Sequence, residues 1–248
     1  MQKNNKIEIN KIAFWISISL NLSILVLGTF WIASKGGIPY VFRTISYLLN
    51  PESIDNNSFY GADRKSLFET FPKSESGIIF VGDSLTDFCE WQELFRDVSI
   101  KNRGIAGDTT SGILNRIDNL VESKPQKVFI MIGINELLQG ETVDKIVGNY
   151  QLILKTFKEK NPQTKVFVKS VLPLNKKFAD PKINKNVIEL NAKLKKLSTS
   201  FLYQYIDLFP SFLGSNNQLD DQYTTDGLHL NGKGYLLWKN IIEKEVVL

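Results

Sequence analysis

The chain has 248 residues, enough for one generous domain or one domain with an appendage, but too few for two full-sized domains. Hydrophobic residues make up 43% and charged residues 23%, which excludes a disordered chain and a polytopic membrane protein. The formal net charge is +4, with one Cys and one His in the whole chain. A single Cys excludes an internal disulfide framework. One Cys with one His also excludes the common structural zinc sites and the His-rich catalytic ones. Any chemistry that needs an imidazole must use His229.

The first element is apolar. Ile12 to Ser34 is a run of 23 residues without charge. At about 1.5 Å per helical residue it reaches roughly 34 Å, against a bilayer core of about 30 Å. Trp15 and Trp31 sit near its ends, and Lys3, Lys6 and Lys11 precede it, which places residues 1–11 in the cytoplasm by the positive-inside bias. A cleaved signal peptide would have a shorter apolar region, and a cut after Ala33 would put bulky Trp31 at the −3 position. A buried core helix would carry a better polar face than Asn21 and a few serines. The expectation is therefore an uncleaved, single-pass transmembrane anchor over 12–34, with the globular part outside the cytoplasmic membrane. No Cys stands just after the segment to take a lipid. Gly36, Gly37 and Pro39 end the span and open a juxtamembrane connector over 35–62. Within it, residues 40–49 suit a short interfacial helix, and Asn50 to Ser58 is polar and turn-rich.

The globular domain is expected over 63–248. Gly77 to Val81 is a buried-strand candidate, Val98 to Lys101 a weaker one, and Lys127 to Ile132 (KVFIMI) a strong one. Lys165 to Val171 (KVFVKSV) and Phe201 to Asp207 complete a set of five. Between them lie amphipathic helices over 142–158, 183–198 and 232–246. The first carries an apolar stripe of Val143, Ile146, Val147, Tyr150, Ile153 and Phe157. Strands alternating with helices of this length imply right-handed crossovers and an α/β fold. The expected architecture is a flavodoxin-like three-layer α/β/α sandwich on a parallel sheet of about five strands. In such sheets the working residues lie beyond the C-terminal ends of the strands.

Charge points away from nucleic acid. Three Lys and one Glu fall in residues 1–34, which leaves the remainder at only +2. Lys193, Lys195 and Lys196 cluster, but they alternate with Leu190, Leu194, Leu197 and Phe201 at helical spacing and read as a solvated face. Cys89, near Phe88 and Trp91, reads as a small core residue rather than a reactive thiol.

Four segments follow strands. They are Gly82-Asp83-Ser84-Leu85, then Asn102 to Thr110, then Gly133-Ile134-Asn135-Glu136, and Asp226-Gly227-Leu228-His229 before the last helix. Each alone reads as a turn or a helix N-cap. A serine hydroxyl is a poor nucleophile near neutral pH and needs a positioned base, with a carboxylate to hold that base's tautomer. Ser84 is the candidate nucleophile, His229 the only imidazole base, and Asp226, three residues earlier, can reach the same side of a turn. Such a base stops working on protonation, so activity should fall on acidification.

Together the four segments resemble the SGNH, or GDSL, hydrolase superfamily, whose blocks carry Ser, Gly, Asn and His in that order. The resemblance covers roughly residues 75–245. The runs WQELF, NRGIAGDTTSGILNR and DGLHLNGKGY look most like the branch related to platelet-activating-factor acetylhydrolase catalytic subunits. It implies an acylhydrolase with no metal or organic cofactor. It assigns Ser84, Asp226 and His229 to catalysis, and an oxyanion hole to the Ser84 N–H, the Gly107 N–H and the Asn135 amide. A side chain at position 107 is expected to block the substrate carbonyl. Asp83 should shape the turn. Two departures stand out: Thr86 replaces the second glycine of a Gly-x-Ser-x-Gly elbow, and Glu136 replaces a common Asp, with an effect expected only on neighbouring packing.

The implied activity is a membrane-anchored serine esterase acting on a small or polymeric ester, either acetyl or short acyl groups on envelope glycans or lipid esters. Alternatives are an O-acyltransferase using the same acyl-enzyme, and a catalytically silent glycan- or lipid-binding module of the same fold. A nucleotide-binding domain with 104–112 as phosphate loop lacks both the Gly-x-Gly-x-x-Gly and Walker patterns. Loops 86–97, 136–142, 172–185 and 208–225 are expected to line the pocket. Oligomeric state is not legible.

Overall fold

In the computed structural model, the described residues are 2–34, 37–38, 59–71 and 77–247. The expected interfacial helix over 40–49 and the polar stretch from Asn50 to Ser58 lie outside them. The chain divides into two compact units, Met1–Ser53 and Ile54–Leu248.

The first unit holds α1, Gln2–Ser34. Its stretch Phe14–Ala33 has mean hydropathy 1.9 and is long and apolar enough to cross a membrane. Leu25, Leu27 and Phe30 are among the large side chains it leaves exposed.

In the second unit, α2 (Phe59–Thr70) precedes β1 (Ile78–Gly82), α3 (Ser84–Asp87), α4 (Trp91–Phe95) and β2 (Ile100–Gly104). Next come α5 (Thr110–Leu114), α6 (Ile117–Glu122), β3 (Lys127–Met131), α7 (Ile134–Leu138) and α8 (Val143–Lys160). The chain closes with β4 (Lys165–Lys169), α9 (Asn184–Ser200), β5 (Gln204–Ile206) and α10 (Gly232–Val247). The helix α2 runs across the boundary expected at 62/63.

All strand pairs are parallel, in the order β2-β1-β3-β4-β5. This is the flavodoxin-like order, with its topological switch between β1 and β3. β1 and β3 are buried along their whole length, as expected of central strands covered on both faces. Alternate residues feed two cores. Ile79, Val81, Val128 and Ile130 pack with α5 to α9, while Ile78, Phe80, Phe129 and Phe167 pack with α4 and α10. On the second face Phe80, Phe129 and Phe167 stack across three strands, with centroids 5.0 and 4.4 Å apart, and Trp91 stacks on Phe80 at 4.3 Å.

The second strand lies later than the expected Val98 to Lys101. Ser99 N–H donates to the Asp97 carboxylate at 2.8 Å, which makes a turn of that segment and leaves Val98 89% exposed. Residues Lys101 to Arg103 form the strand despite their polarity, because an edge strand is only half covered. The helices match their apolar stripes to within a residue or two. Lys193 pairs with Asp144 and Glu189 on the solvated face of α9, and burial pushes the Cys89 thiol up to about 12.

One buried charge stands out in the second core. The Lys169 ammonium is fully buried and has no hydrogen-bond partner among the described residues. It lies 4.6 Å from the Trp238 ring, 4.9 Å from Phe80 and 5.8 Å from Trp91. Burial lowers its pKa from 10.5 to about 7, against the pull of Asp83 and Cys89. The folded chain therefore gives up this proton more readily than the unfolded chain. The cost of the buried charge is fully present below pH 7 and fades as pH rises toward 10.5. Lys169→Met, which fills the cage without charge, should raise the melting temperature more at pH 6 than at pH 9.5. A gain of equal size at both pH values would refute this account.

Candidate active site

The site begins at the C-terminal end of β1. Asp83 caps α3, its carboxylate accepting the Leu85 N–H at 3.0 Å, which starts a helix at Ser84. Asp83 is buried, and loss of water, with Asp108 and Glu136 nearby, raises its pKa to about 7. Its part is in the turn, as expected. The rest of the turn is held from behind. The Thr86 carbonyl accepts Trp91 Nε1 at 2.8 Å and Asn102 Nδ2 at 3.0 Å, so the position of the missing elbow glycine is tied to α4 and β2.

The loop after β2 turns at Ile105 to Asp108, closed by the Asp108 N–H on the Ile105 carbonyl at 3.0 Å. Gly107 lies in that turn with φ of +81°, a value that disfavours any side chain. A β-carbon there would meet no protein atom within 4 Å. Backbone conformation, not protein crowding, thus requires glycine, and the open space leaves its N–H accessible. Among the described residues neither the Ser84 nor the Gly107 N–H donates to a protein acceptor.

Asp108 anchors the loop. Its carboxylate accepts Arg116 Nε at 3.0 Å and Nη2 at 2.6 Å in a buried ion pair, while Arg116 Nη1 donates to the Arg103 carbonyl at 2.9 Å. The Asp108 carbonyl accepts Asn135 Nδ2 at 2.8 Å, which fixes the amide at the end of β3 beside the Gly107 turn.

Glu136 does more than adjust packing. From α7 its carboxylate accepts the Thr110 N–H at 2.8 Å and the Thr110 hydroxyl, locking the start of α5 to the Asn135 segment. Asn149 of α8 donates to the same Thr110 hydroxyl at 2.8 Å.

His229 arrives on the segment before α10. His229 Nε2 lies 3.0 Å from Ser84 Oγ, and Nδ1 lies 2.6 Å from Asp226 Oδ2. The other Asp226 oxygen accepts the Leu228 and His229 N–H groups at 2.9 and 2.8 Å. Partial burial pushes the Asp226 carboxyl up, but the His229 ring and these two N–H groups outweigh it and hold it at about 2. Thr224 braces the turn: its hydroxyl donates to the His229 carbonyl at 2.7 Å and accepts the Gly227 N–H at 2.9 Å. The Gly227 carbonyl accepts the Asn175 N–H at 2.9 Å, docking the turn on the loop after β4.

All five residues singled out from the sequence, Ser84, Gly107, Asn135, Asp226 and His229, therefore meet at one end of the sheet. Sequence reading missed Thr224, Asp108, Arg116 and the lock made by Glu136. A Thr two residues before an Asp is a recognisable turn signal; the other three are ordinary helix-flanking polar residues in sequence. Phe88 and Phe178 flank the His229 ring at 5.2 and 6.3 Å and are 53% and 43% exposed. They sit on two of the loops expected to line the pocket.

A hydroxyl, imidazole and carboxylate hydrogen-bonded in sequence at the C-terminal edge of an α/β sheet form the arrangement that serine hydrolases use. Residues 80–237 match the GDSL-like Lipase/Acylhydrolase family, and the chain belongs to it. Among similar proteins, platelet-activating factor acetylhydrolase IB subunit alpha2 of Rattus norvegicus is 32% identical over 168 residues, covering 65% of this chain and 72% of its own. A GDSL-like lipase from Bacteroides thetaiotaomicron shares the fold at TM-score 0.66 and 21% identity, over 75% of this chain and 96% of that one. An acetyl xylan esterase does so at TM-score 0.60 and 21% identity, over 69% and 100%.

The Asn135 amide is expected to act on developing charge rather than on ground-state binding. Asn135→Ala should lower kcat on nitrophenyl acetate by about 10²–10³ with little change in KM. An equal loss confined to KM would remove Asn135 from this role.

Proposed function

We propose that this protein is a serine esterase held in the cell membrane by α1, with its catalytic domain on the outer face. It removes acetyl or short acyl groups from envelope glycans or from lipid esters. The observation that carries the reading is the relay from Ser84 Oγ to His229 Nε2 and from Nδ1 to Asp226, at 3.0 and 2.6 Å.

Ser84 Oγ attacks the ester carbonyl while His229 Nε2 takes its proton, and Asp226 keeps Nδ1 protonated and steadies the imidazolium. The carbonyl oxygen gains charge and is met by the Ser84 and Gly107 N–H groups and the Asn135 amide. His229 then protonates the departing alkoxide, leaving the acyl group on Ser84. A water, deprotonated by the same imidazole, attacks the acyl-enzyme; the Ser84–acyl bond breaks, and the proton returns to Ser84. No step in this sequence calls on a metal or an organic cofactor.

The acetyl preference is supported by the names of similar proteins, an acetylhydrolase and an acetyl xylan esterase. The exposed rings of Phe88 and Phe178 offer apolar faces to the alcohol side of the ester. The membrane anchor is supported by the exposed apolar stretch Phe14–Ala33 and the three lysines before it.

A fluorophosphonate should label the wild-type chain at Ser84 and fail on Ser84→Ala. Ser84→Ala and His229→Ala should each lose about 10⁴-fold or more of nitrophenyl acetate turnover. Full activity in both variants would falsify the mechanism. Asp226, held at about 2, stays ionised through the working range. Acidification should therefore remove activity without protonating Asp226, with unit slope in log(kcat/KM). Burial raises Asp83 to about 7, so the limb is tested in Asp83→Asn, where it should persist; its disappearance there would assign the proton to Asp83. In membranes, the chain should resist carbonate extraction and expose residues 63–248 to protease added outside sealed cells. Release by carbonate would sink the anchor.

A further inference from the structure

Outside the residues that do chemistry, one carboxylate sits at a junction of three chain segments. Asp87 is the last residue of α3, one turn after Ser84, and its side chain is 2% exposed. Its Oδ2 accepts the Ala106 N–H at 2.9 Å, immediately before Gly107. The same oxygen accepts the Tyr60 hydroxyl at 2.6 Å, and Oδ1 accepts Arg64 Nη2 at 2.9 Å. Tyr60 and Arg64 belong to α2, which lies wholly outside the family match at 80–237.

These contacts close a loop of constraints. The Ser84 N–H lies at the start of α3, and the Gly107 N–H lies on the turn after β2. No covalent path shorter than the whole of α4 and β2 fixes the separation of these two donors. The Asp87 carboxylate ties the two segments one residue before Gly107, beside the Ile105 N–H on the Gly82 carbonyl at 3.0 Å. Gly104 brings the strand end close as well, since a β-carbon there would stand 2.3 Å from the Asp87 backbone nitrogen. A buried carboxylate with one backbone donor would be costly, and α2 supplies the missing charge and hydroxyl.

The helix is itself pinned where it can do this. The Arg64 and Arg103 guanidinium groups each lie 4.8 Å from the Phe68 ring, and Arg103 also reaches Phe71 at 5.6 Å. Asn119 Nδ2 donates to the Phe68 carbonyl at 3.1 Å. Burial and the Asp87 carboxylate push the Tyr60 hydroxyl up to about 12, so it remains a donor across the working range.

We propose that Asp87 is a positioning residue that sets the distance between the Ser84 and Gly107 donors, and that Tyr60 and Arg64 of α2 complete it. The helix that precedes the matched family core is then a working part of the oxyanion site rather than a spacer. The inference rests on the Ser84 esterase reading, and its test is arranged to separate the two.

The full chain is used. Asp87→Asn keeps the shape and removes the charge, and Tyr60→Phe removes one donor while leaving the ion pair and core intact. Each is assayed for nitrophenyl acetate turnover per site titrated with fluorophosphonate. Misplacement of an oxyanion donor should lower kcat per titrated site about 10- to 100-fold in Asp87→Asn, with KM changed less than about threefold. Tyr60→Phe should lose about 3- to 10-fold. Arg64→Met should fall with them, and Arg64→Lys should recover part of that loss. A merely structural role gives fewer titratable sites, each with wild-type turnover; that result overturns the proposal. If Asp87→Asn does not fold, wild-type turnover per site in Tyr60→Phe and Arg64→Met overturns it equally. Ser84→Ala is run beside them. A wild-type chain inactive on nitrophenyl esters, or an active Ser84→Ala chain, removes both readings. A silent Ser84→Ala with unchanged Asp87→Asn removes only the role of Asp87.

Discussion

Everything at the candidate site depends on the parallel direction of the sheet. Because all five strands run the same way, their C-terminal ends share one edge, and each loop leaving that edge starts within reach of its neighbours. The order β2-β1-β3 then sets three of them side by side, carrying Gly107, Ser84 and Asn135. His229, far away in sequence, needs only a turn before the last helix to close on them. An antiparallel strand inserted at any of these places would send its donor to the opposite edge.

A sheet edge places loops to within a few ångströms, and catalysis needs finer placement than that. The difference is made by carboxylates, each used as a tie between segments. Asp87 joins α3, the Gly107 loop and α2. Asp108 holds Arg116, while its carbonyl orients Asn135. Glu136 joins the third block to the start of α5. Asp226 gathers two N–H groups and the imidazole of its own turn. At the buried Asp87, Asp108 and Glu136 such charge-assisted bonds are short and directional, and they resist rearrangement because breaking one strands a buried charge. The acids thus serve geometry, and in the proposed mechanism Asp226 also steadies the imidazolium.

How much of this was legible follows from the kind of signal each part leaves. The central strands could be read because burial on both faces demands continuous apolar runs, as in Lys127 to Ile132. The edge strand after the first helix pair was read only in part, as Val98 to Lys101, because half its surface is open and Lys101 to Arg103 look like loop. The four blocks were legible because their residue types recur in a fixed order, and the single His left no ambiguity over the base. The ties were not. A Glu that caps a distant helix, or an Asp that receives a hydroxyl from 27 residues away, has no local pattern. The helix α2 carried no visible function for the same reason: its contribution is two donors whose acceptor lies beyond the segment.

The manner of placement bears on how the nucleophile is activated. In a Gly-x-Ser-x-Gly elbow the serine sits in a strained turn, and part of its exposure comes from that strain. Here Ser84 opens a short helix instead. Among the described residues the non-glycine positions with positive φ are Arg96, Lys124, Leu202 and Asn217, none of them at the site. Thr86 can therefore stand where the second glycine would be, since no unusual backbone is required of it, and its carbonyl is free to anchor Trp91 and Asn102. In the proposed mechanism, with no positive-φ turn to contribute strain, the reactivity of Ser84 comes from His229 and from donors already in place. The precision of those donors rests on hydrogen-bonded carboxylates rather than on a locked backbone. Sensitivity to mutation should accordingly concentrate in the acids that tie the loops and not in the turn that carries the serine.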